Sequence, residues 1–187
     1  MCHNALRNTE AYLLKECCRD VKVEPVLLPA HTDELQEGTE QRLQLDISAV
    51  GLWSPFERSF LDIRVTHPLS PSYAGTSTKS LFRQHEKEKK RKYQERVLNV
   101  ERGSFTPMVF MTTGGCGGEA DKLHKRLAHL IAEKRKERYA DTLRFIRTKL
   151  AFALLRSILC SLCGQRGKCT SGTVGDEVSY GLIQFDD

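Results

Sequence analysis

Apolar residues recur along this chain in two rhythms, and the change from one to the other marks out its elements. In "HNALRNTEAYLLKECC", Leu6, Leu13, Leu14 and Cys17 fall on one face at helical spacing, which predicts an opening helix. Glu10 lies in the same stripe, about 40° from Leu6 at roughly 100° per residue, so this acid faces inward and needs a partner. "VKVEPVLL" reads as a strand ended by Pro29, and "AHTDELQEGTE" as a polar loop.

The rhythm then becomes strict alternation. Leu43, Leu45 and Ile47 oppose Gln44, Asp46 and Ser48, and Leu61, Ile63 and Val65 oppose Phe60, Asp62 and Arg64. Gly51, Ser54 and Pro55, between the two runs, fit the loop of a hairpin. Asp46 and Asp62 therefore fill polar slots of two paired strands. Either they line a solvent-facing strand face, or they meet on one face of one sheet. In the second case each raises the other's pKa unless a cation lies between them, and hard divalent cations such as Mg²⁺ prefer carboxylate oxygens.

Beyond the loop "HPLSPSYAGTST", helical spacing returns from Lys79 to about Arg102, with Phe82, Tyr93, Val97 and Val100 as its apolar stripe. Lys89 projects into the middle of that stripe, about 20° from Phe82, either as a snorkelling stem or as an inward-facing cation. Glu86 lies near it, while Lys87, Lys90 and Arg91 point elsewhere and form a surface that is either merely solvated or nucleic-acid-facing. "SFTPMVFMTTGG" reads as a further strand. The turn "GGCGGEA" after it lacks the GK[ST] ending of a phosphate-binding loop, which argues against a nucleotide cofactor. Two helices follow, over about 119–136 and 139–163, and a Gly/Ser-rich tail closes the chain.

The predicted order is α, β, β, β, α, β, α, α, in a length that suits one domain with a real core. Composition changes this picture little, but charge does. The net charge is +5, whereas residues 79–149 alone carry 19 Lys and Arg against 9 Asp and Glu. A basic half of that kind either suits a polyanion such as nucleic acid or is only a solvated helix face. Seven cysteines and no secretory signal predict reduced thiols in an intracellular compartment. Cys160, Cys163 and Cys169 are close enough to suggest zinc, but no fourth ligand stands at useful spacing. "LAFALLRSILCSLC" is too short and too interrupted by Arg156 to cross a bilayer, so no membrane partner is expected.

The element order, with Asp46 and Asp62 in the second and third strands, resembles the PD-(D/E)xK, or restriction-endonuclease-like, superfamily. More specifically, "LDI", "LDIRV", "HEKEKKRKY", "FTP" and "GG" resemble the restriction-like endonuclease domain at the C-terminus of non-LTR retrotransposon polyproteins, over most of residues 4–165. That resemblance implies an α/β fold with an αβββαβ core over residues 1–116, a C-terminal helical pair over 117–163 packed on it, and a flexible tail over 164–187. It implies a detached C-terminal piece of a longer polyprotein, in the nucleus. The implied activity is metal-dependent DNA cleavage with Mg²⁺ or Mn²⁺ as cofactor. The alternatives are a catalytically inactive nucleic-acid-binding remnant of the same fold and a decayed fragment without function.

By the same resemblance, Asp46 and Asp62 hold the metal, with Glu10 as an additional acid from the first helix. Leu45 stands where the family's motif has proline, and Arg64 stands at its third-strand lysine position. Arginine does not lose its proton near neutral pH, so Arg64 is assigned to a phosphate. The lysine of the motif then comes from the helix as Lys89, the third catalytic residue. Lys87, Lys90, Arg91, Lys92 and Tyr93 are assigned to substrate binding.

Overall fold

The computed structural model describes residues 2–28 and 43–164. The loop expected over 30–40 and the tail expected from 164 onward therefore lie wholly or almost wholly outside the described residues. Among the described residues four helices and four strands run in the order α1 (Cys2–Lys15), β1 (Arg19–Val23), β2 (Ile47–Val50), β3 (Arg58–Thr66), α2 (Thr78–Asn99), β4 (Ser104–Met111), α3 (Gly118–Arg135) and α4 (Tyr139–Gly164), with a 3₁₀ turn at Pro71–Tyr73. The strands form one mixed sheet in the order β1-β2-β3-β4. β1, β2 and β3 are antiparallel neighbours, and β4 lies parallel to β3. A parallel pair needs a crossover, and α2 supplies it. Pro107, which has no N–H to donate, is tolerated in β4 because β4 is an edge strand.

Helices cover both faces of the sheet. On one side Leu6, Leu13 and Leu14 of α1, Leu123 and Leu127 of α3, and Ile146, Leu150 and Leu154 of α4 pack on Ile47, Leu61, Ile63 and Met108. On the other side Tyr93 and Val97 of α2 close over Phe60, Leu45 and Leu27. Each of these apolar side chains contributes about 1.5–3 kcal/mol when fully removed from water. α2 begins at an N-cap, where the Ser77 hydroxyl accepts from the Ser80 N–H at 3.2 Å. α3 ends on Lys136 in the left-handed conformation, φ +57°. Among the described residues no helix is long and apolar enough to cross a membrane.

Two sequence expectations need correction. The strand read over "VKVEPVLL" begins earlier and stops at Val23, because Glu24 takes φ +54° and Pro25 lacks an N–H. Pairing resumes as an isolated bridge of Val26 to Gln44, where the Leu27 N–H donates to the Leu43 carbonyl at 2.9 Å and the Leu45 N–H to the Pro25 carbonyl at 3.1 Å. The alternation Leu43, Leu45, Ile47 also fails as a single face. Leu45 joins the α2 side while Ile47 joins the α1 side, because the chain bends at Asp46 just before β2.

Candidate active site

That bend is where the candidate residues gather. The Asp46 N–H donates to the Leu61 carbonyl at 3.1 Å. One register step further along β3, the Ile63 N–H donates to Asp46 Oδ2 at 2.6 Å. A side-chain carboxylate has replaced a strand carbonyl as acceptor, so β2 and β3 are held together at a point where their backbones part. Asp46 is 9% exposed and Asp62 6% exposed, which rules out the solvent-facing strand face.

From the other face, α2 delivers Lys89, whose ammonium pairs with Asp62 Oδ2. The lysine that stood out in the apolar stripe is thus an inward cation. Its stem lies beside Tyr93, with the ammonium 5.7 Å from the ring centroid, and Lys92 sits at 4.9 Å from the same ring. Burial pushes the Asp62 carboxyl up; Lys89 pulls it down, and the Asp46 charge adds to the rise. The two aspartates are therefore electrostatic neighbours.

The remaining basic residues divide. Arg64 donates to Glu88 Oε2 at 2.8 Å, and Lys90 pairs with Glu119 at 3.1 Å. Lys87, Arg91 and Lys92 are exposed, and none of them has an ion pair among the described residues. Glu86 turns to α3, where its Oε1 accepts from the Glu119 N–H at 3.0 Å and so serves the first turn of that helix.

Glu10 does not join the aspartates. Its side chain is fully buried, and Oε1 accepts from His124 Nε2 at 2.6 Å inside the core. The residue that reaches Asp46 from α1 is His3, whose Nε2 lies 3.1 Å from Asp46 Oδ2 and 3.1 Å from the Ile63 carbonyl oxygen. His3 and Glu10 are seven residues apart, hence on one face of α1 but about 10 Å apart along its axis. The inward stripe of α1 was legible; which of its polar members met the sheet end was not. The heptad spacing of His3 and Glu10 was the only signal for His3. His85 was likewise not singled out. It is buried in α2 against Tyr73 and 3.5 Å from Glu88, and burial first, then Arg64, keeps its imidazole below the usual range.

Among the described residues no three His, Cys, Asp or Glu side chains converge as a metal group. A site of two carboxylates and a backbone carbonyl still fits a hard cation, because Mg²⁺ keeps several waters and is commonly held by one or two carboxylates. Asp46, Asp62 and the Ile63 carbonyl supply that donor set. Of the cysteines considered for zinc, Cys160 is exposed with a free thiol, while Cys169 and the Cys163 side chain lie outside the described residues. Comparison with family models and with curated proteins finds no match to this chain.

Proposed function

We propose that the chain is a metal-dependent DNA endonuclease domain with the PD-(D/E)xK core. The observation that carries this reading is a pair of buried, electrostatically coupled aspartates, Asp46 just before β2 and Asp62 in β3, with Lys89 of α2 paired to the second, at the point where β2 and β3 part. The order α1-β1-β2-β3-α2-β4, with β4 parallel to β3, supports the same core.

In this reading Asp46, Asp62 and the Ile63 carbonyl would hold Mg²⁺ or Mn²⁺, and the ion would supply charge neutralisation at a phosphate and activation of water. Lys89 opposes the rise that burial imposes on the Asp62 carboxyl, and presents N–H donors to a phosphate oxygen as charge develops. Arg64, released from its exposed partner Glu88, grips an adjacent phosphate through its planar fork. Lys87, Arg91 and Lys92 meet the backbone without reading sequence, and Tyr93 holds the lysine stems in place. Lys90 takes part only by exchanging Glu119 for phosphate.

A second reading is a DNA-binding remnant without cleavage. It is favoured by Arg64 in place of a strand lysine and by a metal group of fewer than three side chains among the described residues. The experiment is nicking of supercoiled plasmid by the purified chain with Mg²⁺ or Mn²⁺, beside Asp62→Asn and a chelator. Metal-dependent nicking lost in the variant is the expected result. Salt-sensitive DNA retention without nicking would transfer the reading to the remnant.

A further inference from the structure

We infer that Cys116 is a covalent modification site, whose thiol adds to uncharged apolar α,β-unsaturated carbonyl compounds held in the cavity beside it while His124 donates to the carbonyl oxygen. That cavity shares no residue with the cluster of Asp46, Asp62 and Lys89, so the inference stands apart from the endonuclease reading.

The cavity, of about 510 Å³, opens between the end of β4, the start of α3 and the middle of α4, in the size range of small-molecule sites. Phe110, Leu150, Leu154 and Ile158 give it a mainly apolar wall. Asp121 and Arg147, on the same wall, are closed on each other at 2.6 Å. An uncharged ligand suits this lining, because a charge brought into it would leave water without a partner. Cys116 reaches the wall from a tightly held turn. Gly114 and Gly115 take φ +97° and +85°, which folds the chain back so that Cys116 bridges to Phe110 of β4. The next N–H, of Gly117, donates to the Val109 carbonyl at 2.8 Å. The Cys116 thiol is free and half-buried, one residue before the N-cap of α3.

His124 lines the same cavity and supplies the second half of the site. Its Nε2 is turned to Glu10 at 2.6 Å, and its Nδ1 is buried with no hydrogen-bond partner among the described residues. A buried donor is costly to leave unpaired, and a ligand oxygen in the cavity satisfies it. Burial pushes the ring down, but Glu10, with help from Cys116, lifts it to about 10, so at neutral pH both ring nitrogens carry protons. His124 is therefore a donor and not the base that acyl transfer to a thiol needs. Conjugate addition makes no such demand. The sulfur pair forms the S–C bond at the β-carbon, the C=C pair moves to leave an enolate oxygen facing Nδ1–H, and the proton lost by the thiol returns through solvent to the α-carbon. Atoms and electrons balance with no co-reactant and no leaving group.

The test uses the whole reduced chain. Rates of adduct formation at Cys116 and at the exposed Cys160 are read by peptide mass spectrometry with 1-octen-3-one, an apolar enone, and with acrylamide, a polar acceptor. We expect Cys116 to outpace Cys160 by about tenfold or more with the enone, and by much less with acrylamide. Ala151→Phe fills the cavity from an exposed position of α4, and should cancel that advantage while the acrylamide rates and the circular dichroism spectrum stay unchanged. The paired replacement Glu10→Met with His124→Phe removes the donor without stranding a buried charge, and should slow Cys116 with the enone by about tenfold or more. Equal rates at Cys116 and Cys160 with the enone would overturn the site. An advantage that survives Ala151→Phe would overturn the cavity as its binding element, and one that survives the paired replacement would overturn the donor role of His124.

Discussion

Glu10→Gln is the substitution whose effect the structure specifies best. Glu10 and His124 face each other at 2.6 Å with side chains 0% and 2% exposed. Burial pushes the imidazole down, but the Glu10 carboxylate, helped by Cys116, outweighs it and lifts His124 to about 10. The folded value lies above the ordinary 6.5, so the pair's contribution is complete below pH 6.5 and is lost as pH rises toward 10. At about 1.4 kcal/mol for each tenfold preference, it amounts to about 5 kcal/mol near pH 6 and about 1 kcal/mol at pH 9. Glu10→Gln keeps the shape and removes the charge. It should lower stability by about 3–5 kcal/mol at pH 6, the usual cost of stripping one partner from a buried pair, and by about 1 kcal/mol at pH 9. Urea unfolding followed by circular dichroism reads this as a midpoint drop of about 2 M at pH 6 and about 0.5 M at pH 9. Replacing both partners with apolar groups, as Glu10→Met with His124→Phe, should recover most of the loss. An equal midpoint drop at the two pH values, or an NMR titration of His124 near 6.5 in the folded chain, would refute the reasoning.

Three further outcomes are expected. Lys89→Met leaves Asp62 buried without its cation, so an NMR titration should find the Asp62 carboxyl higher still, with stability lower by about 3 kcal/mol at neutral pH. Gly103→Ala places a methyl group against the Arg58 carbonyl and the Phe60 ring, and should cost about 1–3 kcal/mol in urea unfolding without altering metal affinity. Lys87→Ala with Arg91→Ala removes two exposed charges of α2 and should flatten the salt dependence of DNA retention by roughly two in log–log slope, leaving the melting midpoint unchanged.

The order of elements was readable because it depends on local periodicity: α1, α2, α3 and α4 carry helical stripes, and β3 alternates with Leu61 and Ile63 on one side. The oddity of Lys89 and of Glu10 was readable for the same reason, since a charge in an apolar stripe must find a partner. Which partner was a matter of distance between elements. Lys89 met Asp62 because α2 crosses between β3 and β4 on that face. Glu10 met His124 because the two side chains reach from α1 and α3 into the same core, away from the sheet end.

The break at Asp46 was not legible in a two-residue rhythm, because alternation describes a regular strand. Asp46 leaves that regularity by taking the Ile63 N–H with its own side chain, and this sends Leu45 and Ile47 to opposite cores. The sequence by itself determined the elements, their order and the set of charges that had to be buried. Tertiary structure alone decided how those charges pair, since each pairing joins residues tens of positions apart, and it brought His3 to Asp46 and the Ile63 carbonyl through packing that no local pattern encodes.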